Sequence, residues 1–489
     1  MKRSRNRRPR IARAGSAGVV LTGLTVSGLV LAAGTTASAA PTAPGPAATS
    51  TVTPAPPTLT PQARMQRAAQ DLVDAGAVGV LGRIDTGSQI LTTTAGLADR
   101  TTGRRIKNKD QYEIGSQTKT FMSVLVLQLV RAKKVALDEP VETYLPGMVP
   151  DGAHITVRML LNHTSGLYDY AADPDVFRAY VENPYAVVPP ESILRNAFSH
   201  APDFAPGTRW EYSNTNYVVI GELLTKVSGH SLNQLLQQHI TKPLRLRDTY
   251  LADPFVTSTG PGLAHGHAFD VPADVYYDTS GFSLSLLGAA GGMISTARDL
   301  SSFYLALLGG RILPPDLLAE MKKNAAGEAI AGGAYGLGLQ KAETPCGDAW
   351  GHTGGTYGTL TLTVVSEDGT RSAASAVTTV PYFIDDTDPA VDAFFTAQGN
   401  AEFLSLCTMN GIEVPAGMLA QRSAPGSDPA PAPGSGHSRS EGAPRVQKHA
   451  GSTPGDRPAG TLAPRLLPEP VTQHAPVFAG QWRRASASR

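Results

Sequence analysis

The chain has 489 residues, and its 42 basic and 41 acidic side chains leave a formal net charge of +1. The charge is unevenly distributed, because residues 62–410 contain about ten more acidic than basic residues. An acidic core of this kind argues against a nucleic-acid-binding protein, since binding to phosphates requires a basic surface.

The first 39 residues have the pattern of a secretory signal peptide. Seven basic residues precede an apolar stretch from about Ala17 to Ala33, and Ala37-Ser38-Ala39 provides small residues for cleavage. A transmembrane anchor is the alternative, but glycine, serine and threonine interrupt the stretch and favour cleavage. Arg7-Arg8 leaves the twin-arginine export route open. We therefore expect a secreted or cell-wall-associated protein with no stable membrane anchor after cleavage.

Two further segments have compositions that oppose compact folding. Residues 40–61 are rich in Pro, Ala and Thr, which predicts a flexible linker. Residues 411–489 are dominated by Pro, Gly, Ser, Ala and Arg, which predicts a disordered tail because little apolar area could be buried. One large globular domain is left at residues 62–410.

Hydrophobic periodicity and turn residues predict the elements of this domain. Thr60-Pro61 begins a helix that ends near Ala75, and two strands follow at 77–83 and 89–97. The next helix begins near Ser116 and ends near Lys133. Further helices are predicted at 155–163, 217–227, 231–240, 296–308 and 389–407 and from 314 onward, and further strands at 335–341, 359–366 and 371–379.

This order of elements predicts an α+β fold of the α/β sandwich type. The early and late strands join into one antiparallel sheet, terminal helices flank it, and the mainly helical middle forms a separate lobe. The site is expected in the cleft between sheet and lobe. Cys346 and Cys407 are the only cysteines, and in an exported chain we expect one disulfide between them.

The helix that begins near Ser116 carries the first chemical pattern, Ser116-Gln117-Thr118-Lys119. Residues three apart share a helix face, so the lysine lies one turn beyond the serine. A serine hydroxyl is a poor nucleophile until a neighbouring group takes its proton or stabilises its alkoxide, and a lysine at this distance can do either. A capped helix with a solvated lysine is the alternative.

Two later stretches contain residues that can act on such a serine. In Tyr212-Ser213-Asn214, a tyrosine whose pKa is lowered by nearby ammonium groups could accept the serine proton, and Asn214 could hold a lysine or a substrate amide. The alternative is a polar helix start capped by Asn214. In His352-Thr353-Gly354-Gly355, small residues would let an extended substrate lie along a strand edge, whereas the alternative is a glycine-rich turn.

The order of these patterns resembles one superfamily. S-x-x-K, then Y-x-N, then H-T-G, with Asn162-His163-Thr164-Ser165-Gly166-Leu167 between the first two, resembles the serine β-lactamases and penicillin-binding proteins. The tyrosine is typical of the class C-like branch. The histidine of H-T-G is similar to that of secreted serine D-alanyl-D-alanine carboxypeptidases and related D-aminopeptidases and esterases. Leu167-Tyr168-Asp169-Tyr170 and the cysteine pair also resemble the carboxypeptidases.

The resemblance implies roles for three catalytic residues. Ser116 would be acylated, and Lys119 would keep its ammonium against Ser116 and Tyr212. Tyr212 would be the general base and then the general acid.

The resemblance also implies roles in substrate binding. Asn214 would bind Lys119 and a substrate amide, and His352 would support the tyrosine electrostatically. Thr353 would bind the terminal carboxylate of the substrate. The backbone N–H of Gly355, together with that of the serine, would form an oxyanion hole.

Three positions depart from the carboxypeptidase pattern. Where that group has an arginine and a second threonine to hold the substrate carboxylate, this chain has Gln340 and Gly355. These two residues provide neither a charge nor a hydroxyl. Lys341 is adjacent, but neighbouring strand residues face opposite sides. An aromatic residue that lines the cleft in the relatives matches Leu286.

The resemblance implies an exported D-alanyl-D-alanine carboxypeptidase that acts on peptidoglycan stem peptides and is acylated by β-lactams. An esterase, a D-aminopeptidase or a class C-like β-lactamase on the same fold is the alternative, and a cell-wall-binding protein is the non-enzymatic one. No cofactor or metal is implied, because His265-Gly266-His267 offers at most two ligands with no third nearby.

Overall fold

The computed structural model describes residues 59–253, 262–327, 333–382, 388–414 and 417–419. The signal peptide predicted at 1–39, most of the linker predicted at 40–61 and most of the tail predicted at 411–489 lie outside the described residues, so these assignments stay predictions. Within the described ranges, none of the helices combines the length and apolar character that crossing a lipid bilayer requires.

The predicted helices and strands occur in the predicted order with shifts at their ends, apart from one strand described below, and the structure contains further short elements that were not predicted. The helices are α1 Pro61–Asp74, α2 Thr118–Arg131, α3 Val157–Leu161, α4 Pro174–Glu182, α5 Pro190–Ala197, α6 Thr215–Ser228, α7 Leu232–Leu236, α8 Lys242–Leu244, α9 Gly288–Gly291, α10 Ala297–Leu308, α11 Pro315–Met321 and α12 Pro389–Asn410. The strands are β1 Gly79–Asp85, β2 Ile90–Asp99, β3 Arg104–Arg105, β4 Tyr112–Glu113, β5 Tyr250–Leu251, β6 His267–Asp270, β7 Val275–Asp278, β8 Met293–Ser295, β9 Gly333–Tyr335, β10 Gln340–Ala342, β11 Ala349–Gly355, β12 Leu360–Ser366, β13 Ser372–Val377 and β14 Val380–Tyr382.

One eight-stranded antiparallel sheet joins the two ends of the domain, as the sequence predicts. Its strand order is β3-β2-β1-β13-β12-β11-β10-β9. The early strand β1 lies beside the late strand β13, with Val80 opposite Val377. Two three-stranded sheets, β14-β6-β7 and β4-β8-β5, complete the strand pairing.

The terminal helices α1 and α12 cover one face of the large sheet. Thr60 caps α1 by accepting from the backbone N–H of Ala63, and Pro61 occupies the first turn. Buried side chains of both helices, Leu72 and Phe394 among them, pack with apolar residues of β1 and β13. Cys407 of α12 forms the predicted disulfide with Cys346, which precedes β11.

The opposite face of the sheet packs against α10 and the helical lobe, whose centre is α2. Every residue of α2 from Thr118 to Leu127 is buried, which explains why its run from Phe121 to Leu127 is apolar except for Ser123 and is not amphipathic. The α+β architecture is therefore confirmed, and it places the start of α2 against the sheet.

One predicted strand is wrong. Residues 335–341 were expected to be a single strand, but they contain the end of β9, a tight turn and the start of β10. The turn at Gly338 has φ +67°, and a Cβ there would lie 2.1 Å from Ser123 Oγ. The turn packs against α2. Leu337 and Leu339, on either side of Gly338, belong to the same buried core as α2, and their apolar pattern was therefore mistaken for a strand.

Candidate active site

Ser116 lies in a single 3₁₀ turn, Gly115–Gln117, which continues into α2. The next turn places Lys119 on the same side, and its Nζ donates to Ser116 Oγ at 3.0 Å. Ser116 is half-buried, whereas Lys119 is fully buried. The alternative of a solvated lysine on a capped helix is therefore excluded.

The ammonium of Lys119 has a complete set of acceptors. Besides the serine, its Nζ donates to Asn214 Oδ1 at 2.8 Å and to Ala290 O at 2.7 Å. Burial lowers the pKa of Lys119 to about 7, and the carboxyl of Asp169 opposes the shift only in part. The lysine can therefore hold or release a proton at physiological pH.

Asn214 connects this lysine to a half-buried carboxyl group. Its Nδ2 and its backbone N–H donate to the two oxygens of Asp169, each at 3.0 Å. Because Nδ2 must face the carboxyl group, Oδ1 must face Lys119, which settles the orientation of the amide. Asn214 stands at the N-cap position of α6, but its side chain makes no capping hydrogen bond, so the alternative of a simple helix cap is wrong.

Tyr212 completes the group around the nucleophile, because the side chain of Ser116 lies close enough to influence the pKa of its hydroxyl. Lys119 Nζ lies 4.8 Å from the centroid of the tyrosine ring. We expected the ammonium to lower the pKa of Tyr212, and that expectation is wrong in direction. Burial raises the pKa of Tyr212 well above its ordinary value. Tyr212 therefore stays a neutral phenol, and Lys119 is the better proton acceptor.

Strand β11 presents Gly355 to the serine turn. Thr353 N–H points away from β12, because it donates to Gln340 Oε1 at 2.9 Å. Backbone direction repeats every second residue in a strand, so Gly355 N–H points the same way. A Cβ on Gly115 would lie 2.5 Å from Gly355 N, so the two backbones are in close contact beside Ser116. This geometry fits the predicted oxyanion hole.

Thr353 is tied to Gln340 of β10. Gln340 Oε1 also accepts from Thr353 Oγ1 at 3.2 Å, and because the backbone N–H can only donate, the oxygen of this amide must face Thr353. Lys341 faces the other side, as predicted, where its Nζ pairs with Glu343 and Asp348. The hydroxyl predicted to bind a carboxylate thus has a neutral partner.

His352 does not act on Tyr212 as expected. Burial lowers the pKa of His352 to about 3, so the ring carries no positive charge at neutral pH. Its Nε2 lies 3.1 Å from Tyr335 Oη, and its Nδ1 lies 2.6 Å from Thr353 O. The predicted electrostatic support of Tyr212 is therefore wrong, because a fully buried imidazole without an acidic partner stays neutral.

The remaining sequence candidates lie elsewhere. Leu286 is buried, and its carbonyl oxygen accepts from Tyr170 Oη at 2.6 Å. His265 pairs with Asp278, whereas His267 Nδ1 lies 3.3 Å from Thr378 O. Among the residues that the structure describes, no group of three or more His, Cys, Asp or Glu side chains could hold a metal ion.

Three residues that contact Asn214 or Tyr212 were given no role in the site by the sequence reasoning: Asp169, His163 and Tyr335. Asp169 and His163 lie in the two stretches used for the family resemblance, but neither pattern shows that these side chains turn inward. His163 and Tyr335, at the end of β9, are buried, and Asp169 is half-buried.

Comparisons with known proteins agree with this geometry. A family model described as Beta-lactamase matches residues 65–393. The structure of a D-stereospecific amidohydrolase from Streptomyces sp. is 37% identical with a TM-score of 0.61, and the match covers 65% of this chain and 94% of that chain. The D-amino acid amidase from Ochrobactrum anthropi SV3 is 27% identical with a TM-score of 0.58, over 69% and 98% of the two chains.

A curated relative, the putative penicillin-binding protein PbpX of Bacillus subtilis (strain 168), is 26% identical over 249 residues, which is 51% of this chain and 59% of that protein. The chain spans between 46% and 61% of the length of the first curated relatives that it matches. These proteins differ in the activities that their names give, so the comparisons support a shared fold and family and not one substrate.

Proposed function

This chain is a serine hydrolase of the β-lactamase family, and on that premise we propose that it cleaves amide bonds of small D-amino-acid derivatives through an acyl-Ser116 intermediate. Two relatives are named as a D-stereospecific amidohydrolase and a D-amino acid amidase. The observation that carries the substrate class is Gln340, which puts a neutral amide where recognition of a free carboxylate would need a cation.

In the proposed reaction, the neutral amine of Lys119 takes the proton of Ser116 while Oγ attacks the substrate carbonyl. Its two remaining N–H groups stay on Asn214 Oδ1 and Ala290 O, so the amine lone pair points to the serine. The N–H groups of Ser116 and Gly355 stabilise the negative charge that develops on the carbonyl oxygen.

Tyr212 then acts as the general acid. Its neutral hydroxyl, which lies beside Ser116, gives its proton to the leaving nitrogen and is reprotonated from the Lys119 ammonium. Water afterwards attacks the acyl-serine carbonyl and gives its proton back through the same groups, which releases the acid and restores the enzyme.

A D-alanyl-D-alanine carboxypeptidase acting on peptidoglycan stem peptides is the second candidate. The H-T-G pattern and the partly exposed Thr353 favour it, because a threonine at a strand edge can donate to a terminal carboxylate. The two candidates differ in the charge of the substrate group that lies beside Thr353 and Gln340.

A substrate panel separates them. We expect a D-phenylalanine amide to have a higher kcat/KM than a tripeptide ending in D-Ala-D-Ala with a free carboxylate. Gln340→Arg should raise kcat/KM for the tripeptide by about 10- to 100-fold, because a hydrogen bond to a charged group contributes about 1.5–3 kcal/mol. Lys341→Arg is the matched control, since it adds the same guanidinium on the opposite face of β10 and should change neither rate. Faster wild-type turnover of the tripeptide would favour the carboxypeptidase.

We also propose that the protein is exported and acylated by β-lactams. The predicted signal peptide and the Cys346–Cys407 disulfide support export, because disulfides persist in oxidising compartments. Intact-mass spectrometry of protein collected from the culture medium, after incubation with a penicillin, tests both. We expect a chain that begins at Ala40 with one adduct on Ser116 and no adduct in Ser116→Ala. Retention of residues 1–39, or an adduct on another residue, contradicts the respective proposal.

A further inference from the structure

His163 is a buried histidine to which the reaction scheme assigns no task. It follows α3, is fully buried and has φ +63°. Residues other than glycine rarely adopt this left-handed backbone conformation. It costs on the order of 1–3 kcal/mol and persists where surrounding contacts enforce it. The contacts that His163 makes therefore indicate why the strained backbone conformation is kept.

Those contacts concentrate on the segment that carries Tyr212. The carbonyl oxygen of His163 accepts from Glu211 N–H at 3.1 Å, and its Nδ1 accepts from Ser213 N–H at 3.2 Å. Between these two residues, the ring of Tyr212 packs on the imidazole with a centroid distance of 4.2 Å and an interplanar angle of 32°. One side chain and its own carbonyl thus hold three consecutive residues.

The same contacts determine the tautomer of the ring. Because a backbone N–H can only donate, Nδ1 is an acceptor and the ring proton of His163 lies on Nε2. That proton faces Tyr335 Oη at 3.0 Å. The tyrosine hydroxyl can then donate to His352 Nε2 at 3.1 Å, since His352 Nδ1 needs its own proton for Thr353 O at 2.6 Å.

The hydrogen bonds therefore form a buried chain with one direction, from His163 through Tyr335 to His352 and Thr353. It connects the loop that carries Tyr212 with the strand that ends at Gly355. Burial lowers the pKa of both histidines, which keeps each ring in the neutral form that the chain requires.

We propose that His163 is a positioning residue that holds Tyr212 against Ser116 and, through Tyr335, fixes its placement relative to the Thr353 end of β11. This inference rests on the proposed acylation of Ser116. It assigns His163 no contact with the substrate, and its effect on the reaction passes entirely through the tyrosine.

The test measures the rate and the extent of acylation by a fluorescent penicillin. His163→Gly removes the imidazole at a backbone that glycine adopts freely. We expect the first-order acylation constant at saturating penicillin to fall about 10²-fold, because a displacement of about 1 Å at a catalytic group has an effect of this size. The penicillin concentration at half-saturation should change less than about threefold, and every molecule should still become labelled.

A second substitution provides partial rescue. His163→Asn places Oδ1 near the position of Nδ1 and tolerates a left-handed backbone, so Ser213 N–H keeps its acceptor. We expect it to recover about tenfold in rate over His163→Gly. The matched control is Lys133→Gly, an exposed residue with φ +57°, which should react like the wild type.

The outcomes are distinct. Complete labelling of His163→Gly at a much lower rate supports positioning. Incomplete labelling at the wild-type rate shows that His163 serves folding alone and overturns the inference. Complete labelling of folded His163→Gly at the wild-type rate overturns it as well. If His163→Gly does not fold, Tyr335→Phe decides, with about a tenfold lower rate expected and an unchanged rate contradicting the proposal. An unlabelled wild type would instead contradict the proposed acylation by β-lactams, and the same variants are then compared by kcat on D-phenylalanine amide. A wild type that is inactive on both would refute the acyl-serine function itself.

Discussion

Replacing Lys119 with methionine is expected to lower the acylation rate of Ser116 by at least about 10³-fold. The side chain keeps nearly its length, but the group that takes the serine proton is lost. The other groups around the nucleophile do not replace it, because burial holds Tyr212 as a neutral phenol and His352 as a weakly basic imidazole. Stopped-flow acylation by a chromogenic β-lactam or an activated ester measures the effect.

The wild-type pH profile tests the same assignment. Burial lowers the pKa of Lys119 to about 7, so the amine is protonated below that pH and has a free lone pair above it. The acylation rate should therefore rise with pH through about 7 and then level off. A rate that falls between pH 6 and pH 9 would indicate that the ammonium form is the reactive one.

Lys341→Met is the matched control for the lysine variant. Lys341 pairs with Glu343 and Asp348 on the outer side of β10, so its loss should leave acylation unchanged. Thermal unfolding of both variants establishes that each is folded. Fast acylation of a folded Lys119→Met variant would show that another group accepts the proton.

Adding one methyl group at Gly115 is expected to reduce kcat/KM by about 10²- to 10³-fold, the effect of losing one oxyanion-hole donor. A Cβ at this position would lie 2.5 Å from both the nitrogen and the oxygen of Gly355. Both contacts are with backbone atoms, which cannot rotate aside, so either β11 or the serine turn must shift. Steady-state kinetics on an amide substrate measure the loss.

Gly103→Ala separates this contact from backbone strain. Gly103 has φ +70°, compared with +54° at Gly115, but a Cβ there has nothing within 4 Å. Both substitutions place alanine in the left-handed region, so they share the strain and differ in the contact. Equal activity of the two variants would mean that Gly355 does not contribute to the oxyanion hole.

The fold was largely predictable because its signals are local. Helix starts such as Thr60-Pro61 and the apolar run of α2 each specify an element within a few residues. The α+β class then followed from the order of the elements. The hairpin around Gly338 was missed because its apolar residues have the pattern of a buried strand. They are buried by packing against α2, which is remote in sequence.

The site was predictable in its members but not in its charges. Ser116, Lys119, Tyr212 and Asn214 do come together as the patterns implied. The electrostatic roles differ, because a pKa depends on which groups exclude water from a side chain. The spacing of residues along the chain does not show which side chains lose contact with water. The directions of the pKa shifts of Tyr212 and His352 could therefore be obtained only from the folded structure.

The sequence by itself determined that Ser116 and Lys119 meet, because residues three apart in a helix share one face whatever surrounds them. Only the tertiary structure decided what that pair can do. It brought Asn214 from 95 positions away to hold the lysine, and it excluded solvent from Lys119 and Asn214. It also set Gln340 against Thr353, 13 positions away, across the edge of β11. Helix spacing is a property of a few bonded neighbours, whereas burial and substrate charge preference arise from packing the whole domain.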